Sequence, residues 1–202
     1  MPSDLIPLMR ASVIQGNLTD LQRLDPEPLQ DILGGVSPKI VEAIERASRL
    51  AWLPLQHDVE LSMSVARVLG DQGCVDWART SMLLSLRTPL LEPLWKAAFR
   101  VFGMSPGALF RAAPSGWKAV YRNVGGVEHQ ARPNAAVLAL FDLPGLLLED
   151  STYLRCMCGT FSALLNIAET PGTVELRNLD VRRRRAEFEA RWGRSTTPRR
   201  SG

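Results

Sequence analysis

Two periodicities divide the chain, and the change falls near Gly125 and Gly126. Before that point, apolar positions recur at the three-to-four-residue spacing that lines one face of a helix. The opening segment with Ala11, Val13 and Ile14 suits either a short strand or the start of a first helix, and 17–24 then runs to the breakers Asp25-Pro26 and Glu27-Pro28. Ser37-Pro38 reads as an N-cap followed by proline at the first helical position. Ile40, Val41, Ile44 and Ala47 carry that helix up to Trp52, and Pro54 ends it. The segment 57–69 places Val59, Met63, Ala66 and Leu69 on one face with Gly70 as a stop, and 75–86 does the same with Trp77, Ala78, Met82 and Leu86. Segments 90–102 and 106–121 complete a set of about six helices, separated by glycine or proline.

From Gly125 onward the period becomes two, which is the signature of strands. The last run is the clearest case, because Ala186, Phe188, Ala190 and Trp192 alternate with Glu187, Glu189 and Arg191. Segments 127–131 and 134–143 form a hairpin around Arg132-Pro133-Asn134, and the second arm is apolar on both faces, as a central strand is. A helix over 149–168, capped by Asp150 or Ser151, buries Tyr153, Met157, Phe161, Leu164 and Leu165. Segments 173–181 and 181–192 supply two more strands. The fold class is therefore α+β: helices over 1–122, then strand, strand, helix, strand, strand, closing a four-stranded antiparallel sheet over 123–192. Residues 1–192 read as a single domain, followed by a disordered basic tail over 193–202.

Composition agrees with a soluble globular protein, since 46% hydrophobic and 22% charged residues suit neither a disordered nor a membrane-spanning chain. A chain of this length buries about 70% of its unfolded surface, so no disulfide or metal is required. The longest apolar stretch, 135–148, is interrupted by Asp142, Pro144 and Gly145 and falls short of the ~20 residues of a bilayer span. The net charge of +3 is misleading. Eight arginines over 182–202 stand against Glu187 and Glu189, a local +6, so the remaining body carries −3. This argues against a nucleic-acid-binding face spread over the domain, and nucleic acid is not an expected partner. Cys74, Cys156 and Cys158 do not suit a disulfide framework and read as buried structural thiols in a reducing, cytoplasmic setting.

Chemistry-bearing motifs are scarce. His57 and His129 lie in different elements, and Cys156 and Cys158 sit about 200° apart on a helix, so no metal site is expected. His57-Asp58 opens a helix, where Asp58 compensates the helix dipole. No nucleophile elbow is present, and the reading is non-enzymatic. The glycines of Gly34-Gly35, Gly103-x-x-x-Gly107 and Gly125-Gly126 match no phosphate loop, and each reads as a cap or turn that needs positive φ. On a strand, Arg182 and Arg184 would share the core side and contact an anion or an acidic partner, or else simply charge an edge strand. Trp77, Trp95 and Trp117 on successive helices, with Phe161, either line an apolar pocket for a hydrophobic ligand or fill the core.

Trp52-Leu53-Pro54, Gly70, Phe102-Gly103 with Pro106, Trp117 with Tyr121-Arg122, Pro144, Gly159 and Trp192 carry a likeness across most of the chain. In these the protein resembles a myxobacteria-restricted family, and through it is similar to the haem-NO-binding, 4-vinyl-reductase-like and TRAPP-subunit fold. The resemblance implies a small-molecule-sensing or protein-scaffolding module that pairs through its helices as a homodimer. It does not imply haem or another cofactor, because neither Tyr121-Arg122-Asn123 nor Tyr153-Leu154-Arg155 supplies the Tyr-x-Ser-x-Arg signature and His57 is not in a matching position. The leading expectation is a cytoplasmic signalling or protein-interaction module. Beside it stands a sensor for a hydrophobic or tetrapyrrole-like small molecule.

Overall fold

The computed structural model describes residues 5–85, 92, 96, 100 and 103–193. The chain opens with β1 (Leu8–Arg10), α1 (Ala11–Leu21), α2 (Pro26–Gly34), α3 (Pro38–Arg46) and β2 (Trp52–Pro54). It continues through α4 (Leu55–Ser85), α5 (Pro106–Val120) and β3 (Tyr121–Arg122). The hairpin β4 (Gly126–Arg132) and β5 (Ala135–Phe141), helix α6 (Thr152–Ile167), and β6 (Gly172–Asp180) with β7 (Arg185–Trp192) complete it. The four-stranded sheet is antiparallel in the order β4-β5-β7-β6, so the strand that is apolar on both faces, β5, is central. Leu138 of β5 faces His129 of β4 and Phe188 of β7 in register. The helices precede this sheet, and α6 crosses one face of it, as an α+β arrangement requires.

Several local signals act as their chemistry dictates. The Ser105 hydroxyl accepts the Ala108 N–H at 3.3 Å and Pro106 fixes the first helical φ of α5. Asp150 accepts the Thr152 N–H at 2.7 Å ahead of α6. Gly70 breaks α4 into two arms at φ 75°, a conformation that strongly favours glycine. The two arms and α6 pack together so closely that Gly159 of α6 lies against the backbone of Val75 and Arg79. One contiguous core joins Ile14, Leu21, Leu61, Phe110, Leu140 and Phe188.

The sequence pattern misplaces some elements. Residues 26–34 form α2, because Pro26 and Pro28 sit in a first turn that has no N–H to lose. The helix from Pro38 stops at Arg46, since Ala47 is extended, and Trp52 belongs to strand β2. A second sheet, β2-β1-β3, is built from strands of two and three residues, too short to show a period. On the first arm of α4 the buried face carries Asp58, Leu61, Ser62 and Val65, whereas Met63 is 40% exposed. Ser37 occupies the N-cap position of α3 without a side-chain bond. Only Gly103 and Gly125 of the glycine motifs have positive φ. Leu86, most of the helix expected over 90–102 and the tail over 194–202 lie outside the described residues.

Two further corrections concern chemistry. Cys74 and Cys156 are joined in a disulfide across α4 and α6, with Cα atoms 5.4 Å apart, so only Cys158 remains a buried thiol. Their separation of 82 residues hides the pairing in the linear sequence. Residues 181–184 form the turn between β6 and β7, so Arg182 and Arg184 are not on a strand and share no core side. The Asp180 carboxylate accepts the Arg183 N–H at 2.9 Å, and Arg184 takes φ 52°, which closes the turn before β7 begins. No described helix is long and apolar enough to cross a membrane.

Candidate ligand-binding site

A cavity of about 460 Å³ lies between β1, α1, the two arms of α4, α5 and α6. Its wall is mainly apolar: Met9 and Val13 from the N-terminal segment, Trp77, Ala78 and Met82 from α4, Trp117 and Val120 from α5, and Met157, Phe161 and Leu164 from α6. Trp77, Trp117 and Phe161 therefore meet at one hollow, each more than nine-tenths buried. Trp95 lies outside the described residues. The Trp117 ring packs on Tyr121 at 4.1 Å between centroids, and Phe161 meets Phe188 edge-on at 5.0 Å, which ties the wall to the central sheet.

One end of the cavity is polar. Asp58 is only 3% exposed, accepts a hydrogen bond from Asn17 Nδ2 at 2.8 Å, and accepts a second from the Tyr153 hydroxyl at 2.8 Å. The Tyr121 and Tyr153 hydroxyls lie 3.4 Å apart. Because Tyr153 gives its proton to Asp58, the proton between the two phenols comes from Tyr121, and the chain runs Tyr121 to Tyr153 to Asp58. The fold itself assembles this chain: the three-stranded sheet sets Tyr121 opposite Met9, and the first turn of α6 delivers Tyr153 to the first turn of α4.

Burial pushes the Asp58 carboxyl above its usual range, against the pull of the bonds from Asn17 and Tyr153. Tyr153 is raised by burial first and then by the neighbouring Asp58 charge, and Tyr121 shifts upward for the same reasons. Both phenols thus hold their protons. The indole N–H groups of Trp77 and Trp117 are buried and meet no acceptor among the described residues. Arg111 lies at the exposed rim.

Asp58, Tyr121, Tyr153 and Asn17 escape a motif search because each comes from a different element. Asp58 does leave one trace, since it falls three residues after Leu55 and seven before Val65, on the buried stripe of α4. Its place in the first turn of α4 is the dipole-compensating one expected, and its burial is what the pattern alone did not show. Arg184 does not line the cavity; it donates from Nε to the Leu143 carbonyl at 2.6 Å and from its terminal nitrogen to the Asp142 carbonyl at 3.4 Å. Arg182 is exposed in the same turn. His57 lies beside Asp58 in sequence but does not line the cavity, and neither does His129.

No family model matches the chain, and no curated protein matches it. Solved structures do. The Fe(II) unliganded H-NOX protein from K. algicida aligns over 93% of this chain and 98% of its own at 6% identity, with a TM-score of 0.61. A point mutant of that protein gives a TM-score of 0.63 at 8% identity over the same shares. An oxygen-binding H-NOX domain related to soluble guanylate cyclases aligns over 91% of this chain and 95% of its own, with a TM-score of 0.54 at 11% identity. At such identities the likeness shows the fold, which is the H-NOX fold.

Some of these neighbours are named for their heme. The described residues around this cavity do not fit one. The chain has two histidines, and neither reaches the cavity. A tyrosine binds iron as the phenolate, which burial beside Asp58 disfavours at both phenols. Cys156 is taken by its disulfide, which leaves only thioether sulfurs among the described lining.

Proposed function

We propose that this protein is a sensor domain that takes a hydrophobic small molecule, without heme iron, into the cavity walled by Trp77, Trp117 and Phe161. The observation that carries the reading is the hollow itself: about 460 Å³ of mainly apolar space ending in a buried, hydrogen-bonded polar cluster. A filled core of the same residues would instead suit a scaffold, because close packing is the rule inside proteins and a void of this size forfeits the contacts of its lining. The H-NOX neighbours support a small-molecule sensor over a protein-interaction module. The reading is non-enzymatic, since the described wall offers hydrogen bonds and aromatic faces, and no hydrogen bond among the described residues there joins a serine, threonine or cysteine to a base. Occupancy would reach the sheet through Phe161 on Phe188 and Trp117 on Tyr121, where a protein partner or a second copy of the chain reads it.

Native mass spectrometry of freshly purified protein, with an absorption spectrum, tests the reading. Excess mass over the denatured chain, lost on extraction with organic solvent, is the expected result, and visible absorbance from a metal-free planar ring would fall within it. A chain that is bare and also refuses every hydrophobic probe at millimolar concentration would overturn it.

A further inference from the structure

The buried chain at the polar end of the cavity presents hydrogen-bond acceptors. Tyr153 spends its proton on Asp58 and Tyr121 spends its own on Tyr153, so the free positions of this chain are lone pairs on Asp58 and on Tyr121. Asn17 and Tyr153 each take one lone pair of the carboxylate, which leaves others open. Among the described residues no lysine, arginine or histidine forms an ion pair with Asp58, although the carboxylate is 3% exposed. A buried carboxylate without a counter-charge is costly, and structures that keep one satisfy it with hydrogen bonds or a cation. Here the two hydrogen bonds come from neutral groups. Asp58 lines a cavity that is also walled by the tilted ring pair of Trp117 and Tyr121, and aromatic faces attract a cation.

We infer that the cavity selects an amphipathic amine, whose ammonium sits between Asp58 and the Trp117–Tyr121 rings and whose apolar body runs along Trp77, Met157 and Phe161. The inference rests on the proposed sensor function and names its ligand class. An ammonium donates three hydrogen bonds and accepts none, which matches the open lone pairs of Asp58 and Tyr121. The buried indole N–H groups of Trp77 and Trp117 add a second preference, for an oxygen acceptor on the ligand body, since each meets no acceptor among the described residues.

Three probes that share one ring separate the possibilities: 2-(2-naphthyl)ethylamine, 2-(2-naphthyl)ethanol and 2-naphthylacetate, each titrated into the full chain by calorimetry near pH 7. The amine is expected to bind at least about tenfold more tightly than the alcohol, the usual worth of a hydrogen bond to a charged partner over a neutral one. Asp58→Asn is expected to remove that margin while the alcohol still binds. The probe ranking in the unaltered protein already decides the matter, so a variant that fails to fold costs nothing. Equal binding of amine and alcohol would overturn the amine assignment and leave the sensor reading standing. Tightest binding of the carboxylate would do the same and move recognition to Arg111 at the rim. Binding of none of the three would overturn both.

Discussion

Gly159→Ala puts two opposed magnitudes against each other. Within a helix, alanine is more favourable than glycine by about 0.8–1.0 kcal/mol, so helix propensity alone predicts a stabilised α6. At this position, however, a Cβ would fall onto the carbonyl oxygen of Val75, 2.9 Å from its carbonyl carbon and 3.0 Å from the Arg79 nitrogen. These are backbone atoms of α4, so no side chain can swing away and the helices themselves must part. Overpacking of a core costs about 1–3 kcal/mol, and a rigid contact belongs at the upper end. The disulfide from Cys156, one helical turn before Gly159, resists the same separation. The net expectation is a loss of about 2 kcal/mol, read as a fall in Tm of about 4–8 °C for a chain of this size. Urea unfolding of the purified variant, with an unchanged slope and a lower midpoint, measures it. Gly116→Ala on α5 is the control, because its Cβ meets nothing within 4 Å and should gain part of the propensity. A Gly159→Ala protein as stable as Gly116→Ala would refute the close approach of α4 and α6, and with it the wall of the cavity.

Three further outcomes follow from the same structure. Reducing the Cys74–Cys156 bond, or replacing both cysteines by serine, frees a loop of 82 residues, worth up to about 4.5 kcal/mol by chain entropy; a midpoint in urea unmoved by a dithiol would contradict the pairing. Asp58 holds its proton to higher pH in the folded chain than in the unfolded one, so its contribution to stability declines as pH rises from about 3.8, the unfolded value, through the folded value and then levels off. Subtracting the Asp58→Asn curve from the wild-type curve in thermal melts between about pH 3 and 8 should isolate that decline, and a difference that grows in favour of wild type with pH would refute the buried placement. Arg184→Ala should cost about 1–2 kcal/mol through lost bonds to the Leu143 and Asp142 carbonyls, whereas Arg182→Ala should stay within about 0.5 kcal/mol; equal losses in chemical unfolding would restore a shared role for the two arginines.

The sheet half of the molecule was largely legible because its signals are local. Alternation marks β7, two-faced apolarity marks β5, and Asp150 ahead of Tyr153, Met157 and Phe161 marks α6. The helical half was legible only where a stripe survived: α4 divides at Gly70 as the pattern suggests, yet its buried face is turned toward Asp58 and Ser62 by a cavity that the pattern cannot display. Strands of two or three residues have no period at all, so β1, β2 and β3 emerge only from pairing. Trp77, Trp117 and Phe161 pointed toward a common region, since aromatic residues on packed helices meet whether they fill a core or wall a hollow. The polar cluster did not, because Asn17, Asp58, Tyr121 and Tyr153 become neighbours only through contacts spanning 95 residues of sequence. The disulfide was hidden for the same reason.

Methionine methyl NMR tests the hollow most directly. Met9, Met82 and Met157 line the cavity, while Met63 and Met104 are 40% and 54% exposed elsewhere and serve as internal references. In protein labelled with 13C at the methionine methyl groups, saturating 2-(2-naphthyl)ethanol should shift the Met9, Met82 and Met157 resonances, through the ring current of a naphthalene seated among them, and leave those of Met63 and Met104 in place. Five resonances unmoved by the alcohol and by the matching amine and carboxylate alike, or shifts confined to Met63 and Met104, would mean that the space between α4, α5 and α6 admits no ligand and that the sensor reading is wrong.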